Sequence, residues 1–264
     1  MKKKVQAKVL SQQMIAPDIY DLWLETELAK EAGAGQFVGV YPMDGAHLLP
    51  RPISICEVDE KRSALRLVYR IAGEGTAKFA AWKGGQTAQI LGVLGNGYPL
   101  ERVLENYNLE SDIVLLGGGI GIPPMLELAK ELSVRGIRPV TVAGYRDQNL
   151  FLADDLAKYS RVLTATEDGS KGIKGNVLDV LRQEKIRPAV IMACGPMPML
   201  RAVKAFAADE GISAYISLEE RMACGVGACL GCVCRTAKKD AHSHVNNARI
   251  CTDGPVFEAG EVEI

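Results

Sequence analysis

The sequence predicts a multi-domain chain in three segments: a small antiparallel β-barrel or sandwich over 1–100, an α/β domain with a parallel sheet over 101–216, and a small cysteine-rich unit over 217–264. Three observations predict it. Short β-like stretches crowd the first segment, strand-like and helix-like stretches alternate in the second, and five of the seven cysteines fall in the third.

In the first segment the β-like stretches are 4–11, 19–25, 36–41, 51–57, 64–70 and 87–93. They are rich in Val, Ile and Tyr and are separated by Gly, Pro and Asp, the spacing of closely connected antiparallel strands. A short helix is expected over 76–82 with Thr76 as its N-cap. Gly95-Asn96-Gly97-Tyr98-Pro99 reads as the loop that leaves the domain.

In the second segment 113–116, 139–144, 161–166 and 189–194 read as buried strands, with 212–217 as a final one. Helices are expected over 125–135, 152–159, 177–184 and 197–210. Regular alternation places helices on both faces of a parallel sheet. The third segment has too few residues to build a core easily, and a bound metal cluster would supply the missing constraint. Its polar stretch 238–247, which holds His242 and His244, reads as a solvated loop.

Lys and Arg number 31 against 32 Asp and Glu, so the net charge of −1 argues against a general nucleic-acid binder. The most apolar run, 113–128, is broken by Gly117, Gly118, Gly119, Gly121, Pro123 and Pro124, which argues against a membrane span. Lys2, Lys3 and Lys4 are not followed by an apolar stretch of signal type, so a cytoplasmic protein is expected. An odd cysteine count then makes a poor disulfide framework.

Cys224, Cys229 and Cys232 form C-x4-C-x2-C, the plant-type spacing for a [2Fe–2S] cluster with a fourth ligand downstream. Gly225, Gly227 and Gly231 would let the loop take positive φ and bring N–H groups to the sulfurs. The fourth ligand is Cys234 or Cys251. Cys251 is favoured, because a thiol two residues after Cys232 points elsewhere in extended chain and Thr252-Asp253-Gly254-Pro255 makes a returning turn. The competing reading is a four-cysteine zinc site, which more often pairs two C-x2-C knuckles.

Three further signals concern nucleotides. The strand 113–116 runs into Gly117-Gly118-Gly119-Ile120-Gly121 and a helix start, a phosphate-binding arrangement that departs from G-x-G-x-x-G at Ile122. A plain tight turn is the alternative. Cys194-Gly195-Pro196 ends another strand, where α/β sheets bind ligands; Cys194 would abut a nicotinamide there or be a small buried apolar residue. Arg51-Pro52-Ile53-Ser54 offers a guanidinium for pyrophosphate and a hydroxyl for a ring nitrogen. Gly73-Glu74-Gly75-Thr76 offers a second anion site.

Together these motifs resemble the ferredoxin–NADP reductase superfamily, whose members carry an R-x-Y/F-S flavin motif, a G-G-G-I-G nucleotide turn and C-G-P near the nicotinamide. With Glu219–Cys232 and Cys251–Phe257 added, the whole chain resembles the electron-transfer subunits of type B dihydroorotate dehydrogenases. The resemblance selects a barrel for the first segment. It implies FAD on Arg51, Pro52, Ile53, Ser54, Val68, Tyr69, Arg70, Gly75 and Thr76. It implies NAD on Gly117, Gly118, Gly119, Gly121, Gly195 and Pro196, with Ser54 and Cys194 beside the reacting rings. It implies [2Fe–2S] on Cys224, Cys229, Cys232 and Cys251.

The same resemblance implies a function and a partner. Electrons would pass from dihydroorotate through FMN on a catalytic subunit, then the cluster and FAD, to NAD⁺, in pyrimidine synthesis. The complex would hold two copies of each subunit. The present chain is too short to add a (β/α)8 barrel of about 250 residues, so the partner must oxidise dihydroorotate. NADP is less expected than NAD, although Arg146 follows a strand where a 2′-phosphate would sit. Related reductase subunits of hydrogenases, sulfhydrogenases or ferredoxin transhydrogenases are the alternative, and a zinc-bearing binding module is a third reading.

Overall fold

The computed structural model describes residues 2–105, 111–239 and 244–264; His242 lies outside the described residues. The first segment forms β1 (Lys3–Ala16), β2 (Ile19–Glu25), β3 (Phe37–Tyr41), β4 (Arg51–Asp59), β5 (Ala64–Arg70) and β6 (Thr87–Leu94). They close an antiparallel barrel in the order β1-β2-β5-β4-β3-β6. Alternate residues fill it: Leu22 and Leu24, Val38 and Val40, and Leu65 and Leu67 share one buried cluster. β1 pairs with both β2 and β6, which closes the sheet.

Two local expectations are corrected. β1 continues past Ser11 to Ala16, because irregularities at Val9/Ser11 and Met14/Ala16 keep it paired with β2 and the Gln12 amide donates to the Tyr69 hydroxyl at 2.6 Å. Helix α1 (Glu74–Ala80) starts before Thr76, with Gly73 at the N-cap. Gly73 has no side chain to cap with, so Thr76 Oγ1 reaches back and accepts from the N–H groups of Ala72 (2.9 Å) and Gly73 (3.3 Å).

After α2 (Leu100–Glu105), the second segment alternates as predicted: β7 (Asp112–Gly118), α3 (Pro123–Val134), β8 (Val140–Tyr145), α4 (Ala153–Ala157), β9 (Arg161–Thr166), a short β10 (Ile173–Lys174), α5 (Val177–Gln183), β11 (Pro188–Cys194), α6 (Met197–Glu210) and β12 (Ser213–Ser217). Leu116, Val142 and Ile191 face α5 and α6 through Val180, Leu181, Leu200 and Val203. Ile113, Leu115 and Met192 face α3 through Met125, Leu128 and Leu132. Two apolar faces make near-continuous apolar strands.

The third segment adds β13 (Val233–Thr236), β14 (Asn247–Arg249), β15 (Val256–Glu258) and β16 (Val262–Glu263). β14, β13 and β16 form a small sheet, whereas β15 joins the large sheet antiparallel to β12, giving the order β10-β9-β8-β7-β11-β12-β15. The segment's shortage of core is met by sharing: Cys232, Ile250, Phe257 and Val262 belong to the same buried cluster as Leu200 and Ile216. No helix among the described residues is long and apolar enough to cross a membrane.

Candidate active site

β4 and β5 are neighbours in the barrel, so Arg51–Ser54 and Val68–Arg70 meet at one end, where α1 begins. Together they wall a cleft of about 900 Å³ that contains every residue predicted for flavin. Arg51 donates to the Leu49 carbonyl at 2.7 Å and lies across Gly75, where a Cβ would stand 2.4 Å from Nε. The rest of its guanidinium is available to an anion. Ile53, Val68, Phe37, Ile120, Leu218 and Pro255 give the cleft an apolar wall, and Ser54 also lines it. Tyr69 stacks on Tyr20 with centroids 5.9 Å apart, and burial pushes its hydroxyl up, so it stays protonated. An apolar wall with a cationic, hydroxyl-bearing end fits a flavin dinucleotide.

The glycine turn has a division of labour that the motif alone does not show. A Cβ on Gly117 would meet Ile122 Cα at 2.9 Å, one on Gly118 would meet Met199 Sδ at 2.5 Å, and one on Gly121 would meet the Cys194 carbonyl oxygen at 2.3 Å. These three are small so that the start of α3, the start of α6 and the end of β11, respectively, can pack against the turn. Gly119 differs: its φ is +54° and its nearest neighbour is Arg70 at 3.4 Å. Gly119 therefore leaves backbone open to a ligand, ahead of α3, whose first positions are Pro123 and Pro124. Pro196 caps α6 and Gly195 packs on Met199.

Cys194 is fully buried, and burial followed by the charge of Glu219 pushes its thiol up, against a hydrogen bond with Ser217. Ser217 stands opposite Cys194 in the β11–β12 register. Ser217 and Glu219 also line the cleft, although the sequence reading gave neither of them a role in the site. The signal was the strand after Cys194, whose end reaches the same side of the sheet. Desolvation pushes the Glu219 carboxyl up, and Arg70 opposes it, although the Glu219 residue as a whole is solvent-accessible.

Backbone donors surround the cysteine loop. The N–H groups of Val226 and Cys229 reach Cys224 Sγ, that of Gly231 reaches Cys229 Sγ and that of Cys251 reaches Cys232 Sγ, each at 3.4 Å. Gly225 and Gly227 take positive φ, of 69° and 82°, as expected; at the third position it is Leu230, at 56°, and not Gly231, that does so. The reversal one residue early turns the Gly231 N–H onto the Cys229 sulfur.

Cys229 acts on the Cys224 thiol and Cys232 on the Cys251 thiol, so the four fall into two neighbouring pairs. Cys234 lies on β13 and packs against the apolar core. Burial pushes Cys224 up, but the Val226 and Cys229 N–H donors bring it down to about 6; burial and Cys232 push Cys251 up to about 11. Among the described residues no three His, Cys, Asp or Glu side chains gather around one metal position. Two thiol pairs ringed by N–H donors fit a binuclear cluster better than a single zinc.

A family model described as the iron–sulfur cluster binding domain of dihydroorotate dehydrogenase B matches residues 219–263. A solved NADH-dependent reduced ferredoxin–NADP oxidoreductase superposes with a TM-score of 0.84 at 25% identity, covering 97% of this chain and 89% of that one. A ferredoxin NADP⁺ reductase from Neisseria gonorrhoeae, with bound FAD and NADP, superposes with a TM-score of 0.67 at 20% identity, over 83% of this chain and 94% of that one, and shows the fold. Barrel, parallel sheet and cysteine loop thus define a reductase of the ferredoxin–NADP reductase type with a carboxyl-terminal iron–sulfur domain.

The dihydroorotate dehydrogenase B (NAD(+)) electron transfer subunit of Streptococcus pneumoniae (strain ATCC BAA-255 / R6) is 42% identical, over 97% of this chain and 96% of its own. The like-named subunit of Geobacillus kaustophilus (strain HTA426) is 43% identical, over 96% of each. The chain belongs to the family of dihydroorotate dehydrogenase B electron transfer subunits.

Proposed function

We propose that this chain is the electron-transfer subunit of an NAD-dependent dihydroorotate dehydrogenase, conveying electrons between a catalytic partner subunit and NAD⁺ in pyrimidine synthesis. One observation carries the reading: Ile120 of the nucleotide turn and Ser217–Met222, the lead into the cysteine loop, line the same cleft as Arg51–Ser54. The flavin place therefore lies between the nucleotide place and the cluster place. That order is required, because nicotinamide exchanges hydride and an iron–sulfur cluster exchanges single electrons. FAD held there supplies the conversion between the two.

The residues divide the work. Arg51 and the backbone of Gly73–Thr76 hold the phosphates of FAD, and Ser54 hydrogen-bonds its ring. The N-terminus of α3 and the open Gly119 hold the pyrophosphate of NAD. Ser217 and Glu219 meet the nicotinamide side of the cleft, and Cys194 backs them from the core. Cys224, Cys229, Cys232 and Cys251 hold the two irons, with the N–H donors offsetting negative charge. The partner oxidises dihydroorotate on FMN, in a complex of two copies of each subunit, and works in the cytoplasm.

The test is a cofactor and subunit analysis of the protein purified with its untagged natural partner. One FAD, two irons and two sulfides per chain, with FMN on a bound partner that oxidises dihydroorotate, are expected. Zinc in place of iron, or a partner with another activity, would contradict the proposal.

A further inference from the structure

Glu127 is a buried carboxylate that neither cleft nor cluster uses. It lies on α3, only 5% exposed, in the seam between the barrel and the parallel sheet. Cys56 and Val68 of the barrel pack there against Met125, Leu126 and Ala129 of α3. An apolar side chain would fill such a place at lower cost than a carboxylate.

The barrel explains what the carboxylate does. β3 pairs with β4 only over Arg51–Ser54, so the far half of β4 has a free edge on that side. The Val58 N–H on this edge donates to Glu127 Oε2 at 2.7 Å. The Val58 carbonyl accepts from Lys130 Nζ, which also stands 3.3 Å from Glu127 Oε2. One turn on, Glu131 Oε1 accepts from the Ala34 N–H at 2.7 Å. Burial pushes the Glu127 carboxyl up, and the Val58 N–H and Lys130 oppose it.

The two elements joined in this way are the two that carry the reacting groups. β4 begins at Arg51–Ser54 and is held at Val58; α3 begins after Gly119–Gly121 and is held at Glu127. Apolar packing alone tolerates sliding, whereas a hydrogen bond to one backbone atom fixes register. We propose that Glu127 is a positioning residue for hydride transfer. By fixing α3 to β4 at Val58 it sets the approach of the nicotinamide, held by the turn, to the flavin, held by the strand. This rests on the assignment of cleft and turn given above.

The test is anaerobic stopped-flow reduction of FAD by saturating NADH in the complex with the catalytic subunit. Glu127→Ala is expected to slow this step roughly 10–100-fold, with FAD content and the oxidation of dithionite-reduced protein by ferricyanide unchanged. Glu127→Gln, which keeps an acceptor for the Val58 N–H, is expected to stay within about threefold of the wild type. A Glu127→Ala rate per bound FAD equal to wild type, even with a lowered Tm, would show a merely structural role and overturn the proposal. So would a Glu127→Gln rate as slow as that of Glu127→Ala. Should Glu127→Ala not fold, Lys130→Met carries the test: about threefold slowing is expected, and an unchanged rate overturns the proposal. A wild-type complex whose flavin NADH does not reduce overturns the functional assignment itself.

Discussion

A Cβ on Gly121 would press on the Cys194 carbonyl, which is backbone and has no room to retreat, whereas a Cβ on Gly75 would press on the tip of the Arg51 side chain. The two substitutions therefore separate folding from binding. Gly121→Ala is expected to cost about 1–3 kcal/mol, as overpacking does, and to lower Tm in a thermal melt. Gly75→Ala should leave Tm within about 2 °C but weaken FAD binding about tenfold, because displacing Arg51 removes a charge-assisted hydrogen bond. Equal Tm for Gly121→Ala and wild type, or undiminished FAD affinity in Gly75→Ala, would refute these roles. The distinction was not legible in the strings Gly117–Gly121 and Gly73–Thr76. A sequence shows that a residue is small but not which neighbour needs the space.

Elements meet at the seam between barrel and sheet. Arg66 on β5 bonds Asp21 on β2 at 2.9 Å, Glu57 on β4 at 3.1 Å and Asp155 on α4 at 2.9 Å. Arg66→Met would leave Asp21, 2% exposed, without its cation, and is expected to cost about 3 kcal/mol in urea unfolding. Burial pushes the Asp155 carboxyl up, but hydrogen bonds from Lys158 and Arg66 hold it below the usual range. Its contribution is thus present above an unfolded value of about 4 and is lost as pH falls through the lower folded value. The urea midpoint of the wild type should fall more steeply below about pH 4 than that of Asp155→Asn; parallel slopes would refute the link.

None of this seam was visible in the sequence, since Asp21, Arg66 and Asp155 carry no motif and meet only through the packing of two domains. The strands themselves were visible, because alternation in β2 and the apolar runs of β7 and β11 report their surroundings directly. Short β13, β14 and β16 were not, because a strand of a few residues leaves no period to read.

At the scale of the whole molecule, one cleft receives residues from the barrel, the nucleotide turn and the segment leading to the cysteine loop. The cysteine spacing announced its chemistry because few other sites use C-x4-C-x2-C. The pairing of the thiols and the place of β15 in the large sheet depended on the folded chain. β15 ties the cluster segment to β12, so the loop has a fixed place beside the cleft. The central claim is that nucleotide, flavin and cluster places act in series, with the cluster place as the port to the partner. The most direct test is Cys229→Ala in the complex, assayed in two ways. Dihydroorotate:NAD⁺ activity is expected to fall more than about 100-fold, as when a required redox centre is removed, while NADH:ferricyanide activity stays within about twofold because FAD and NAD bind elsewhere. Undiminished dihydroorotate:NAD⁺ activity in that variant would contradict the account.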